Sequence, residues 1–279
     1  MKHEYVHGYH PYEQARLRDQ GQTLVELIHR GTTYPPHSLV LEVGCGVGVQ
    51  TVVLARRSPG ARFVAIDRSA ASLAVARRSV HAAHLRNVEF RQANIFALPF
   101  AAHAFDHVFV CFVLEHLANP ARALTLLLRC LKPGGTVTII EGDHGSTYFH
   151  PDSAAARAAI GCLVALQAQA GGNALIGRQL YPLMVGVGLG KVQVRPKMVY
   201  VDASRPDLVE GFTRRTFTAM VEGVRAQAIA AGLVTPRRFD AGIRALHRTT
   251  RADGVFCYTF FKGVAQKTAS GGRRSRGHP

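Results

Sequence analysis

The order of apolar and polar positions predicts short buried strands that alternate with amphipathic helices. A mostly apolar run over 39–43 leads into a glycine-rich turn, and an amphipathic segment over 49–57 follows it directly. A second apolar run over 63–66 ends at Asp67. Strand, tight turn, helix and strand form a βαβ unit, in which two parallel strands lie side by side under the helix.

The same alternation continues along the chain and predicts a mostly parallel α/β sheet of seven strands, with helices on both faces. The further strands are predicted over 88–91, 105–111, 136–140, 191–201 and 254–261. The further helices are predicted after the capping residue Ser69, over 120–131, from Asp152 or Ser153 to Ala170, and over 180–187, 206–231 and 236–251.

One domain accounts for most of the chain, and no linker divides it into two independent units. An aromatic segment near the start is followed by a helix that ends near Gly31. A tail rich in Gly, Ser and Arg is predicted to be disordered. The predicted boundaries are 1–38 for the N-terminal segment, 39–265 for the domain, 145–188 and 204–252 for lid helices inserted in it, and 266–279 for the tail.

The chain has 279 residues and a net charge of +16, most of it from arginine. Such a charge favours anionic partners, nucleic acid among them. The tail carries only part of the charge, and the other arginines are scattered rather than interleaved with aromatic residues. This pattern favours an arginine-rich solvated surface over a nucleic-acid interface.

Cysteine and histidine spacing favours neither disulfides nor a metal site. The five cysteines are odd in number and contain no CxxC pair, which predicts free thiols in a reducing cytoplasm. His3, His7 and His10 have helical spacing but no partnering Cys or acid cluster, so no metal is predicted. No secretory signal is evident, and the uncharged run 158–177 contains enough polar residues to predict a buried helix rather than a membrane span.

The glycine-rich turn carries the most specific signal. It reads E-V-G-C-G-V-G from Glu42 to Gly48, so its glycines follow G-x-G-x-G rather than the dinucleotide pattern G-x-G-x-x-G. Asp67 ends the next strand 19 residues after Gly48. Together these features resemble motif I of the class I S-adenosylmethionine (SAM) methyltransferases, which have a Rossmann-like fold.

Two later motifs extend this resemblance over about Leu39 to Glu141. The run F-V-L-E-H-L over 112–117 and the L-K-P-G-G turn over 131–135 are similar to those of the small-molecule, natural-product branch of that family. The resemblance implies transfer of a methyl group from SAM, with S-adenosylhomocysteine as the product. It also implies that the N-terminal segment folds over the cofactor.

The resemblance assigns cofactor contacts to several positions. Asp67 is expected to accept from both ribose hydroxyls, Glu42 to orient the methionine end, and Asn94 to take the place of the aspartate that usually accepts from the adenine amino group. Arg68 and Ile95 would flank the nucleoside, and Cys111 would pass the sulfonium. The full set of expected cofactor-binding residues is Tyr5, Glu42, Gly44, Cys45, Gly46, Gly48, Asp67, Arg68, Asn94, Ile95, Cys111 and His116.

The acceptor side rests on the residues that follow the fifth strand, because ligands bind at the carboxyl ends of open α/β sheets. His144 is a candidate general base near neutral pH, and Glu115 is a second candidate catalytic residue. A hydrogen-bonded loop histidine and an ordinary helix start are the competing interpretations. The candidate acceptor-pocket residues are Tyr9, Tyr148, Arg178, Tyr181 and Phe212.

Several functions stay open at the level of sequence. The favoured one is O-, N- or C-methylation of a small molecule in secondary metabolism, including C-methylation of an isoprenoid or another electron-rich carbon. A nucleic-acid methyltransferase is the alternative, although (D/N)-P-P-Y and Pro-Cys motifs are missing. A non-catalytic SAM-binding protein and a nicotinamide oxidoreductase are the others. The oligomeric state also stays open.

Overall fold

The computed structural model describes residues 24–268, and its centre is a seven-stranded sheet. The strands are β1 (Leu39–Val43), β2 (Arg62–Asp67), β3 (Val88–Gln92), β4 (Phe105–Cys111), β5 (Leu131–His150), β6 (Leu189–Val201) and β7 (Val255–Lys267). Their order across the sheet is β3-β2-β1-β4-β5-β7-β6. The first five strands are parallel, whereas β7 runs antiparallel to both β5 and β6.

The strand order reverses direction at β1. The chain proceeds from β1 outward to β3 on one side, then crosses over to place β4 against the other side of β1. In open α/β sheets, the two chain paths diverge at such a switch point and leave a crevice outside the carboxyl ends of the strands. This topology therefore predicts a ligand site where β1 and β4 end.

The helices cover both faces of the sheet. They are α1 (24–29), α2 (Val49–Arg57), α3 (Ala70–Ala82), α4 (Pro120–Cys130), α5 (Ala154–Gln169), α6 (Leu180–Gly186), α7 (Pro206–Leu208), α8 (Ala219–Gly223), α9 (Arg225–Ala230) and α10 (Pro236–Arg248). Ser69, Asn119, Ser153 and Thr235 cap α3, α4, α5 and α10, each accepting a backbone N–H through its side chain. The predicted cap at Ser69 is confirmed.

Two large apolar clusters lie on opposite sides of the sheet. One joins α1, through Leu24 and Ile28, to α5 and α10, and the other joins β1 and β4 to α4 and α6. In the first cluster α5 and α10 approach closely, since a Cβ on Gly242 would lie 2.5 Å from the carbonyl oxygen of Ala155. Among the described residues, no helix combines the length and the apolar character that crossing a membrane requires.

The fifth strand is much longer than the prediction of 136–140. It begins at Leu131, so the L-K-P-G-G segment is an irregularity within the strand, where five residues of β5 advance against two of β4. It also continues to His150, because residues 141–143 and 148–150 pair with β7, with a register shift across 144–147. The segment after Glu141 is therefore strand rather than loop, and the first lid helix begins at Ala154 instead of near 145.

The predicted helix over 206–231 is interrupted. A π-helical segment, Val209–Thr218, lies between α7 and α8, and a break at Val224 separates α8 from α9. Within the π-helical segment, the Thr216 hydroxyl donates to the carbonyl oxygen of Gly211, five residues earlier. This bond matches the wider turn of a π-helix, which is common at functional sites.

The ends of the predicted domain need one correction and leave some expectations untested. Strand β7 continues to Lys267, so the tail cannot begin at 266. The aromatic segment from Tyr5 to Tyr12 and the tail from 269 onward lie outside the described residues. All five cysteines are free and buried, as their spacing predicted.

Candidate cofactor and acceptor site

The glycine turn lies between β1 and α2, at the switch point of the sheet. Gly44, Gly46 and Gly48 all have positive φ, at +68°, +53° and +82°, which L-residues rarely adopt. A Cβ on Gly44 would lie 2.5 Å from Val113, and one on Gly48 would lie 2.8 Å from Ala76. By contrast, a Cβ on Gly46 would meet no heavy atom of residues 24–268 within 4 Å. The middle of the turn therefore faces open space next to the N-terminus of α2, where backbone N–H groups favour electron-rich ligand atoms.

Asp67 lies directly across this turn at the end of β2. Its Oδ2 accepts the N–H of Gly46 at 2.9 Å, and its Oδ1 accepts the N–H of Ser69 at 2.8 Å. The side chain is half-buried, whereas that of the neighbouring Arg68 is exposed. Two backbone donors thus hold one carboxylate at the mouth of the turn, and its remaining lone pairs can accept from a ligand.

Glu42 lies inside β1, two residues before the turn, and is 2% exposed. Burial raises the pKa of its carboxyl to about 7, with the Thr51 hydroxyl opposing this shift and Asp67 adding to it. Its Oε2 has no hydrogen-bond partner within the described part of the chain. Burying a carboxyl oxygen without a hydrogen-bond partner costs free energy, so the site favours a ligand that brings a hydrogen-bond donor.

Asn94 and Ile95 follow β3 at the same edge of the sheet. Asn94 is exposed, and its Oδ1 accepts the N–H of Phe96 at 2.9 Å, which closes a local turn. Ile95 packs at the margin of an apolar cluster. The structure thus places both residues at the carboxyl edge of the sheet. Asn94 Oδ1, the expected acceptor for the adenine amino group, already uses one lone pair for the N–H of Phe96.

A tight turn after β4 forms the facing wall of the site. Phe112 has φ +56°, and residues 114–116 form one turn of 3₁₀-helix. The Cys111 thiol before it is buried, and burial raises its pKa well above the ordinary value, so it is neutral. Glu115 is buried at 7% exposed, while the side chain of His116 is 23% exposed.

The structure brings the two candidate catalytic residues together. Glu115 Oε2 lies 3.8 Å from His144 Nε2 and 3.3 Å from the Gln167 side-chain nitrogen. Glu115 Oε1 lies 3.5 Å from His116 Nε2. One buried carboxyl therefore lies between two imidazoles, within a single turn of 3₁₀-helix.

Tyr258 completes this network, and the sequence did not single it out. Its hydroxyl oxygen lies 2.7 Å from His144 Nδ1. The hydroxyl reaches that position because residue 142 is glycine; any other residue there would place a Cβ 2.2 Å from the hydroxyl oxygen. Burial raises the pKa of Tyr258 well above its ordinary value, so the phenol keeps its proton. We assign that proton to a bond with His144 Nδ1, which leaves Nε2–H directed at Glu115.

The acceptor-pocket candidates lie in different places. Phe212 is buried against Phe256, Tyr258 and Phe260, and so adjoins the network. Tyr148 is directly opposite Cys257 in the sheet, and Cys257 and Tyr258 point to opposite faces. Tyr148 is therefore on the other face, exposed, with its hydroxyl on the Met198 sulfur at 3.0 Å.

The structure describes two of the remaining candidates, Arg178 and Tyr181, and places both outside the network. Arg178 makes two bonds to the carboxylate of buried Asp143, at 2.6 and 2.8 Å, and its side chain is 47% exposed. Tyr181 is 56% exposed on α6. Tyr5 and Tyr9 lie outside the described residues.

Comparison with known proteins places this architecture. Residues 41–139 match a family model described as a methyltransferase domain. An uncharacterised 37.1 kDa protein in transposon TN4556 of Streptomyces fradiae is 34% identical over 191 residues, covering 67% of this chain and 54% of that protein. The demethylmenaquinone methyltransferase of Thermus thermophilus is 38% identical over 102 residues, covering 37% of this chain and 46% of that enzyme.

Among solved structures, the crystal structure of the [4+2]-cyclase SpnF matches with a TM-score of 0.57 at 20% identity, covering 90% of this chain and 82% of that one. This likeness concerns the fold alone. The chain spans about half the length of the curated relatives it matches. The matched segment runs from β1 to β5 and contains the glycine turn, Asp67 and the turn after β4. Residues 41–139 of this chain thus match a methyltransferase domain.

Proposed function

We propose that this protein transfers a methyl group from SAM to a small-molecule acceptor. The observation that carries the proposal is the pairing of Gly46 with Asp67. An N–H at the middle of the turn fixes the carboxylate, and the space over Gly46 is open. This arrangement can receive a ribose with its two hydroxyls at the N-terminus of a helix.

The residues present fit the cofactor. Asp67 offers carboxylate lone pairs to ribose hydroxyls, and Glu42 offers its unpartnered Oε2 to the ammonium of the methionine end. Asn94 and Ile95 would flank the adenine. When bound, SAM would supply a methyl group made electrophilic by its sulfonium sulfur. The protein's own part is to orient both partners, exclude water and take up any proton that the acceptor releases.

The acceptor that the site favours is one that loses a proton on methylation. Glu115, His144 and Tyr258 form a buried acid–base network beside the aromatic rings of Phe212 and Phe217. A hydroxyl, an amine or an electron-rich ring C–H would each use such a network. A relative named as a demethylmenaquinone methyltransferase supports testing aromatic and isoprenoid-substituted quinols first.

A small molecule is a better acceptor than nucleic acid for this surface. Several arginines are paired with acids on the described surface, including Arg225 with Asp240 and Arg248 with Asp253. Paired guanidinium groups leave less free positive charge to track a phosphate backbone. We accordingly propose a diffusible metabolite as the acceptor, and the five free cysteines favour a reducing cytoplasm. A mobility-shift titration at low salt checks this, and tight, salt-sensitive binding to RNA or DNA would contradict it.

The test of the function is turnover on an acceptor panel. The protein is incubated with SAM and quinols, phenols, amines and prenyl compounds, and both S-adenosylhomocysteine and a product heavier by one methyl group are measured. We expect both to form together with at least one acceptor. Tight SAM binding without product on the whole panel would favour a non-catalytic protein, and preferential binding of NAD(P)H would favour an oxidoreductase.

Gly46→Ala and Gly48→Ala should separate cofactor binding from folding. Both variants place alanine at a positive φ, which costs about 1–2 kcal/mol of folding free energy. Alanine at 48 also collides with Ala76, so it should lower the free energy of unfolding further. Alanine at 46 meets none of the described residues within 4 Å and instead projects its methyl into the proposed ligand space.

Thermal denaturation and calorimetry with S-adenosylhomocysteine measure these two effects. We expect Gly48→Ala to have the lower melting temperature of the two variants. Gly46→Ala should have an affinity about tenfold or more below that of the parent protein. Unchanged affinity in a folded Gly46→Ala protein would place the cofactor elsewhere.

The raised pKa of Glu42, about 7, predicts that cofactor affinity falls as the pH is lowered through neutrality. Below that pKa the carboxyl takes a proton and loses the charge that attracts an ammonium. The stability of the ligand-free protein should vary in the opposite sense, because a carboxyl with a raised pKa stabilises the fold at low pH and this contribution is lost as pH rises through about 7. Calorimetry from about pH 6 to pH 8 tests this, with Glu42→Gln expected to bind weakly and without the pH dependence. An affinity equal at both pH values in the parent protein would contradict this role.

A further inference from the structure

The turn that follows β4 is strained. Phe112 has φ +56°, a value that bulky residues adopt only where the surroundings impose it. Its N–H donates to the carbonyl oxygen of Ile140 at 2.9 Å, and its ring packs against Phe260 with 5.5 Å between centroids. Strained backbone of this kind is common at functional sites and requires a stabilising contact elsewhere.

Glu141 supplies that contact. It follows Ile140 on β5, just past the last residue that pairs with β4, and it is fully buried. Its Oε1 accepts two backbone bonds from the turn, from the N–H of Val113 at 3.0 Å and of Leu114 at 2.8 Å. One side-chain oxygen thus accepts the two N–H groups that follow the last backbone hydrogen bond between β4 and β5.

The turn in its held conformation contacts the glycine turn. The Val113 side chain fills the space beside Gly44, since a Cβ on Gly44 would lie 2.5 Å from Val113 Cγ2. A short chain of contacts therefore runs from Glu141 through Val113 to Gly44. It joins β5, which carries His144, to the first residue of the cofactor turn.

We propose that Glu141 is a positioning residue that holds the turn after β4 against the glycine turn, and so fixes the wall of the cofactor site next to the reacting methyl. The cofactor part of this inference rests on the proposed function. The clamp itself is a property of the ligand-free protein and can be tested without any ligand.

Glu141 acts as a neutral acid. Complete burial raises the pKa of its carboxyl well above the ordinary value, and the nearby Glu115 raises it further, while the backbone donors oppose the shift. Its Oε2 has no hydrogen-bond partner among the described residues. Glutamine matches a neutral glutamic acid in shape and keeps an oxygen that can accept both N–H groups, whereas methionine keeps the length and removes the acceptor.

Amide hydrogen exchange in the ligand-free protein tests the clamp. We compare Glu141→Gln and Glu141→Met with Ile139→Ala, a control that leaves a cavity in the same strand and keeps both hydrogen bonds from Glu141 to the turn. The amides of Val113 and Leu114 should exchange about tenfold or more faster than in the parent protein in Glu141→Met alone. Equal protection in Glu141→Met and the parent protein would overturn the proposal, as would equal loss in Ile139→Ala.

Calorimetry with S-adenosylhomocysteine tests the consequence for the site. We expect Glu141→Met to bind about tenfold or more weaker than the parent protein, and Glu141→Gln and Ile139→Ala to stay within about threefold. Failure of glutamine to restore affinity would contradict the neutral-acceptor role. Absence of binding in the parent protein would refute the proposed function and leave the exchange result standing.

Discussion

Asp67→Ala is expected to abolish measurable binding of S-adenosylhomocysteine in a protein that still folds. The substitution removes the carboxylate that would accept both ribose hydroxyls, and a hydrogen bond to a charged group contributes about 1.5–3 kcal/mol. Two such bonds correspond to a loss of affinity of about 100-fold or more. The variant also releases the N–H of Gly46, so the turn itself loses a contact at 2.9 Å. Calorimetry measures the affinity, and circular dichroism checks the fold.

Asp106→Ala is the matched control for this variant. Asp106 likewise accepts a backbone N–H, that of Leu39 at 2.9 Å, but at the opposite end of β1 from the glycine turn. It binds Lys132 at 2.7 Å as well, so its removal costs comparable polar contacts. The control should bind within about threefold of the parent protein. Equal affinities of the Asp67 and Asp106 variants would remove Asp67 from the cofactor site.

His144→Ala is expected to lower kcat by about 100-fold, since general acid–base groups contribute about 10²–10⁴ in rate. Cofactor affinity should hardly change, because His144 contacts Glu115 and Tyr258 rather than the glycine turn. Tyr258→Phe should lower kcat by about tenfold or more through loss of the bond that fixes the imidazole. Steady-state kinetics on the acceptor found in the panel, together with calorimetry, measure both quantities.

Tyr34→Phe is the control for the tyrosine variant. Tyr34 is another buried tyrosine in the same apolar cluster, and its hydroxyl has no hydrogen-bond partner within the described part of the chain. Its replacement should leave kcat within about threefold of the parent value. If His144→Ala turns over at the parent rate, His144 has no part in the mechanism. If the two tyrosine variants behave alike, Tyr258 is only a packing residue.

The parts of the site that the sequence predicted are those encoded locally. The glycine turn needs only a strand, three residues free of Cβ and a helix start, all contiguous between Leu39 and Arg57. Asp67 could be found because it ends the next strand, which the βαβ unit places beside the first. Local pattern and tertiary structure agree here, as expected for a well-determined fold.

The acceptor side was harder because distant pairing decides it. Residues 142–145 read G-D-H-G, a composition typical of turns, yet the strand continues past them, because the residues on either side of an irregularity at 144–147 pair with β7 more than 100 residues later. Tyr258 stands between Phe256 and Phe260 in what reads as a core strand. The partner of its hydroxyl exists only once β5 and β7 are paired.

The sequence also did not reveal on which face of the sheet each side chain lies. Successive residues of a strand point to opposite faces, so a shift of one position in register moves a side chain across the sheet. Tyr148 pairs opposite Cys257 and so lies away from Tyr258. The sequence likewise did not reveal that Arg178 binds Asp143, a side chain that is 1% exposed.

A crystal structure of the protein with S-adenosylhomocysteine tests the central claim most directly, because it fixes where the methyl group would have been. We expect the ribose hydroxyls on Asp67, the amino end of the ligand at Glu42 and the sulfur beside the turn after β4. The missing methyl should point towards the side of the site that holds Glu115 and His144. A ligand bound away from Gly46, or a sulfur that faces the opposite side of the sheet, would contradict the account.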